Sequence, residues 1–173
     1  MNFKTIQRAL MALALITFFS FSANAQKIGY VNVNDILESI EEYQAAQQEL
    51  DKLAAKWRQE IAQQYDEIKG MYNRYQAEQV LLSDDARNQR EEEIMNMEKE
   101  VRDLQKVKFG PEGELFQRRQ ELVRPIQDRV YAAIEAYATE RDYDFIFDKS
   151  SSAGMIFSNP KFDLTQEILK KLQ

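Results

Sequence analysis

Between Ile36 and Leu82 apolar side chains recur at alternating steps of four and three residues. The positions are Ile36, Ile40, Tyr43, Gln47, Leu50, Ala54, Trp57, Ile61, Gln64, Ile68, Met71, Tyr75, Glu78 and Leu82, and only Gln47, Gln64 and Glu78 are polar. A mean spacing of 3.5 residues keeps one stripe turned toward a partner helix, so the pattern predicts a long rod in coiled-coil-like contact. At about 1.5 Å per residue, a rod of about 45 residues spans about 68 Å, more than a compact domain of this size needs. Such length points to a function that uses reach or a groove.

A second limb follows. Ser83 before Asp84 and Asp85 is a helix-start signature, so the chain turns near Val80–Asp84 and runs back. Ile94, Met97, Val101 and Leu104 step by three and four, and Leu115, Leu122, Ile126, Val130, Ile134 and Tyr137 continue more loosely. Two such runs joined by a short polar turn predict an antiparallel helical hairpin. Phe109-Gly110-Pro111-Glu112-Gly113 interrupts the return limb, because proline removes a helical N–H and glycine costs backbone entropy. A kink or short break is expected there, with Pro111 in the first turn of a new helix as the alternative. Pro125 bends the limb again.

At both ends the periodicity drops to two. Lys27 to Val33 reads as a strand, with Asn34 or Asp35 capping the helix that follows. Tyr143 to Asp148 and Met155 to Phe157 read as two more strands, separated by a turn from Lys149 to Gly154. Asp163 then caps a final helix with the apolar face Leu164, Ile168, Leu169 and Leu172. The fold class is α+β, mostly α, with a small β body and one long antiparallel hairpin per chain. So few strands leave open edges, which oligomerisation covers. The expected division is an arm over 34–114 and a β-containing body over 26–33 and 115–173.

The first 25 residues carry Lys4 and Arg8, an apolar run from Ala9 to Phe21 and the small-x-small triplet Ala23-Asn24-Ala25, which read as an export signal cut after Ala25. The chain left has 21 basic and 29 acidic residues, a formal charge of −8. Cysteine and histidine are absent, which excludes disulfides, thiol nucleophiles and the commonest general base and metal ligand. Five glycines make no phosphate-cradling loop, and the acidic balance argues against nucleic acid. These absences disfavour an enzyme; we expect no catalytic, cofactor or metal residue.

Taken in order, the Lys27–Asn32 strand leading into a helix, the charged hairpin, Leu122-Val123-Arg124-Pro125-Ile126, the Tyr143–Asp148 strand and the closing Asp163-Leu164-Thr165 with Ile168, Leu169 and Leu172 resemble the Skp/OmpH family of periplasmic chaperones. The likeness covers the whole chain after the signal. It implies a homotrimer whose pooled strands build a central β body, from which three hairpins project around a cavity. It also implies an ATP-independent holdase that keeps unfolded outer-membrane proteins from aggregating. On this view Ile28, Tyr30, Val31, Val33, Phe145, Phe147 and Ile156 serve oligomerisation. Well-studied members are markedly basic, whereas nine acidic residues face three basic ones between Asn34 and Glu67, so capture of lipopolysaccharide by a positive arm is not expected of this chain.

Trp57, Tyr65, Met71, Tyr72 and Tyr75 are the candidate client-contacting residues. For Trp57 the alternative is a knob buried between the helices; for Tyr65 and Tyr72 it is packing at the solvent edge. Arg118, Arg119, Arg124 and Arg129 form either an anion site or a solvated face balanced by Glu114, Glu121 and Asp128. Glu91-Glu92-Glu93 is a charged surface run. An alternative function is an envelope adaptor that binds one folded partner through the tip near Val80–Asp85.

Overall fold

A computed structural model describes residues 26–151 and 154–173, so the expected export signal over 1–25 lies outside the described residues. Chain order is strand β1 (Ile28–Val31), helices α1 (Val33–Glu38), α2 (Glu41–Glu78), α3 (Asp84–Phe109) and α4 (Glu114–Glu140), strand β2 (Phe145–Asp148), a 3-10 turn (Pro160–Phe162) and helix α5 (Thr165–Leu172).

β1 and β2 pair in parallel, Ile28 opposite Phe145 and Val31 opposite Asp148. Parallel partners cannot be joined by a tight turn. Here the crossover is the entire helical hairpin, which leaves β1 and returns to β2. The entry of α5 lies on β1, where Leu164 N–H donates to the Tyr30 carbonyl. A Cβ added on Gly29 would press on the Leu164 and Tyr143 side chains, so a larger residue there requires the Leu164 side chain to shift.

The 38 residues of α2 extend for about 57 Å and form the spine. α3 packs on its outer part and α4 on its inner part. The heptad reading holds along α2: Leu50, Ala54, Trp57, Ile61 and Ile68 are buried, Tyr43, Gln47, Gln64, Met71 and Tyr75 are half-buried, and only Glu78 at the outer end is exposed. Two cores result. The inner one joins Val31, Val33, Ile36, Leu37, Ala46, Leu50, Val123, Ile126, Val130, Leu164 and Ile168. The outer one joins Ile61 and Ile68 of α2 to Ile94 and Val101 of α3.

Several boundaries differ from the sequence reading. The strand stops at Val31, and Asn32, rather than Asn34 or Asp35, caps α1 by accepting from Asp35 N–H at 3.3 Å. Val33 is thereby turned into the core at the start of the helix. The ascending rod is two helices, because Ile40 adopts extended backbone before α2. The Gln44 side chain then donates to the Glu38 carbonyl freed by that break, at 2.6 Å. α2 ends at Glu78 instead of Leu82, since Val80 and Leu81 at the tip lie 84% and 85% exposed with nothing to pack on. Ser83 caps α3 as expected, accepting from Ala86 N–H at 3.3 Å.

The break also falls where expected: α3 ends at Phe109 and α4 begins at Glu114, so Pro111 lies in the connection and not in a first helical turn. Pro125 stays inside α4. Asp163 acts two residues before α5, with Leu164 at the cap position, its carboxylate accepting from Thr165 N–H at 2.9 Å. The strand expected at Met155–Phe157 does not form. A strand needs a neighbouring edge, the chain's one described sheet is the β1–β2 pair, and Ile156 is fully exposed.

Candidate functional site

The arm and the open face of the small sheet both leave apolar side chains accessible. In the sheet, Ile28, Phe145 and Phe147 are 43%, 48% and 46% exposed, and the two phenylalanine rings stack at 6.2 Å. The structure therefore divides the residues expected to serve oligomerisation. Tyr30, Val31 and Val33 are buried inside the protomer, while Ile28, Phe145, Phe147 and Ile156 are left outward.

The candidate client residues divide in the same way. Tyr65 and Tyr72 are 42% and 50% exposed, while Met71 and Tyr75 are half-buried against the outer core. The Tyr75 hydroxyl donates to the Glu91 carboxylate, and this bond is the main cause that raises the phenol's pKa. Trp57 lies between the helices at 8% exposure. Phe109 meets it edge-on, with ring centroids 6.0 Å apart, and the Lys108 ammonium sits 4.8 Å from its centre.

Lys108 also reaches both carboxylate oxygens of Glu114 at 2.7 Å, which ties the end of α3 to the start of α4 across the Gly-Pro break. Trp57, Phe109, Lys108 and Glu114 thus form one cluster at the joint between the inner and outer halves of the hairpin. Sequence reasoning missed Lys108 and Phe109. A signal was present, because Lys108 continues the Ile94, Val101, Leu104 steps and Phe109 directly precedes the break.

Two of the four arginines, Arg118 and Arg129, tie α4 to α2, while Arg119 and Arg124 form no ion pair among the described residues. Arg118 bonds Glu49 at 2.7 Å and Glu121 at 2.9 Å, and Arg129 bonds Glu42 at 2.6 Å. The hydrogen bond from Arg129 lowers the Glu42 pKa, and the hydrogen bonds that Arg118 donates to Glu49 and Glu121 raise its own. Of the balancing acids expected, Glu121 pairs with Arg118 and Glu114 pairs with Lys108 instead. Asp128 forms no ion pair among the described residues.

In the body, Asp163 is pulled two ways. Burial raises its pKa, but hydrogen bonds from Thr165 and Tyr30, with Lys149 nearby, outweigh burial and hold the carboxyl below the ordinary carboxylate range. Among the described residues no group of acidic side chains has metal-site geometry, and no helix is long and apolar enough to cross a membrane.

Comparison with known proteins places this architecture. The chain is 25% identical to the chaperone protein Skp of Yersinia enterocolitica over 175 residues, 98% of this chain and 99% of the relative. It is 26% identical to the chaperone protein Skp of Pectobacterium atrosepticum over the same shares. A solved structure described as an OmpH-like outer membrane chaperone from Caulobacter crescentus shares the fold. Its TM-score is 0.66 at 11% identity, across 87% of this chain and 86% of that one. The family described as outer membrane protein (OmpH-like) matches residues 27–172, and with a match over nearly its whole length the chain belongs to that family.

Proposed function

We propose that the protein is an ATP-independent periplasmic holdase that takes unfolded outer-membrane proteins between helical arms and keeps them from aggregating. The observation that carries this reading is the end-to-end likeness to two proteins named chaperone Skp, on a chain whose hairpin runs far beyond its inner core. The chemistry is reversible burial of apolar client surface by many weak contacts, and it uses no catalytic residue.

Arm and body divide at 34–114, with 26–33 and 115–173 forming the body. The inner turns of α2 share the body's core through Ala46 and Leu50. Three protomers assemble by covering Ile28, Phe145 and Phe147, and the exposed Ile156–Phe157 segment gains in a neighbour the strand partner it lacks within its own chain. Periplasmic residence follows from the export signal over 1–25. Tyr65 and Tyr72 are the arm residues that meet a client, whereas Trp57 supports the arm from within.

A size-exclusion experiment tests the reading. A β-barrel protein diluted from urea into the chain from Gln26 onward, without nucleotide, is expected to elute as a soluble complex containing unfolded client. A complex formed only with folded client would overturn the holdase. The adaptor reading would then gain, because the tip residues Val80 and Leu81 are the most exposed apolar pair of the arm.

A further inference from the structure

Sulfur is scarce in this chain and concentrated where the arm is thinnest. Cysteine is absent, and of the methionines from Gln26 onward, Met71 lies on α2, Met95 and Met97 on α3, and Met155 in the body. Met71 and Met97 are half-buried against the outer core, whereas Met95 is 63% exposed. We propose that Met71 and Met97 form a reversible oxidation site, at which a peroxide-class oxidant converts both thioethers to sulfoxides and unzips the outer end of the hairpin. The inference goes beyond the holdase reading and does not depend on it.

Little holds the two helices together near the tip. Beyond Ile68 the apolar contacts come down to Met71 and Tyr75 from α2 and Ile94 and Met97 from α3, and Ile94 alone of these four is buried. Polar ties are equally few. Among the described residues the only side-chain hydrogen bond between α2 and α3 runs from Tyr75 to Glu91. The ion pairs Asp84–Arg87, Arg90–Glu93 and Glu98–Arg102 all stay within α3. Past Met71, α2 has about two turns left, and α3 makes about four turns before Met97. Helical segments this short are marginal in water without packing, so two of the four side chains in this layer decide whether it stays closed.

Both sulfurs combine access with consequence. Met71 borders a surface groove of about 350 Å³ that it shares with Ile94, Arg74 and Arg90. A peroxide transfers one oxygen atom to the thioether sulfur: sulfur is oxidised by two electrons, the O–O bond breaks, and the second oxygen leaves as water or an alcohol. No thiol in the chain competes for the oxidant. The product replaces a polarizable apolar group with a polar one that accepts hydrogen bonds. At Met71 that oxygen finds its donor on the groove side, because Arg74, one turn on, lines the groove and forms no ion pair among the described residues. The oxidised side chain is drawn out of the seam. Met97 lies one turn from each of the buried Ile94 and Val101, so its sulfoxide sets a polar group among apolar side chains. Thiol-dependent reductases reverse the change, taking the oxygen off as water while two reductase thiols become a disulfide.

Met95 and Met155 are built-in controls. One faces solvent and the other packs into neither core, so sulfoxides there leave the arm closed.

Hydrogen peroxide applied to the chain from Gln26 onward, with each sulfoxide located by peptide mass spectrometry, tests the proposal. Conversion at Met71 and Met97 is expected to remove about a fifth of the far-UV helical signal. Amide hydrogen exchange between these two residues should speed up at least about tenfold while the inner core is unchanged. Met71→Leu with Met97→Leu, which nearly conserves volume, should keep both signals under peroxide, and Met95→Leu should give no protection. A pair of methionine sulfoxide reductases, one for each epimer, should restore the helix in the oxidised wild-type chain. If the leucine pair is itself disturbed, the unoxidised pair Met71→Gln with Met97→Gln carries the test: opening like that of the oxidised chain supports the proposal, and an intact arm overturns it. Sulfoxides at Met71 and Met97 without faster exchange, oxidation of Met95 with both seam sulfurs untouched, or equal loss in an undisturbed leucine pair also overturns it.

Discussion

Replacing Trp57 with alanine tests whether this ring is structure or client surface. The side chain is 8% exposed, with Phe109 edge-on at 6.0 Å and the Lys108 ammonium 4.8 Å from the ring centre. An indole hides up to about 250 Å², and at about 25 cal/mol per Å² its removal costs at most about 6 kcal/mol, less what the denatured chain already buries. Buried aromatic-to-alanine changes commonly cost about 3–5 kcal/mol, the cavity included. We predict a loss of about 3–4 kcal/mol for Trp57→Ala. Trp57→Phe, which preserves an aromatic contact with Phe109, should lose about 1–2 kcal/mol. Urea unfolding followed by far-UV circular dichroism measures this, at one fixed chain concentration because the proposed assembly would couple stability to concentration. A loss below about 1 kcal/mol with an unchanged m-value would refute the packing argument. It would also return Trp57 to the client-contacting residues.

Two glycines of the arm should respond in opposite directions. Gly113→Ala puts a methyl 2.8 Å from the Gly110 nitrogen and the Val107 carbonyl oxygen, both backbone atoms, and should cost about 1–3 kcal/mol in urea unfolding. At Gly70, inside α2, an added Cβ meets nothing within 4 Å, so Gly70→Ala should stabilise by about 0.5–1 kcal/mol. Asp163 makes stability depend on acid. Because its folded pKa lies below the unfolded value of about 3.9, its contribution is complete above about pH 4 and is lost as pH falls through the folded pKa. Asp163→Asn should therefore lower stability at neutral pH and flatten the acid limb of the stability profile, and an unchanged acid limb would contradict this assignment. Phe145→Asp with Phe147→Asp, on the exposed stacked pair, should shift analytical sedimentation toward the monomer while far-UV circular dichroism keeps its helical signal.

Much of this architecture was legible because long-range packing follows a local repeat. The α2 ladder, the Ser83 cap and the Gly-Pro break are each written in side-chain type and spacing, and all three stand in the fold. The interruption at Ser39–Ile40 was not legible. No proline or glycine marks it, and Ile36 and Ile40 keep heptad spacing while each packs into the same inner core. The Met155–Phe157 segment misled for a different reason. Its β-forming residues specify extended chain, but pairing depends on an edge that the chain itself does not supply.

At the candidate site, heptad position left Trp57 either a client-contacting ring or a knob buried between the helices; the ring is buried, and the pattern did not reveal that Lys108 and Phe109 would close over it. The cross-helix pairs Arg118–Glu49 and Arg129–Glu42 were likewise invisible, since they join residues far apart in the chain. Helical spacing alone favoured nearer partners. The exposure of Tyr65 and Tyr72 follows from their place off the ladder, which the sequence does show.

The most direct test of the holdase account is light scattering of an aggregation-prone outer-membrane β-barrel protein diluted from urea into nucleotide-free buffer, with and without the chain from Gln26 onward. The account predicts that scattering falls to baseline near one trimer per client and that added ATP changes nothing. Undiminished scattering, from protein shown by circular dichroism and sedimentation to be folded and assembled, would contradict it.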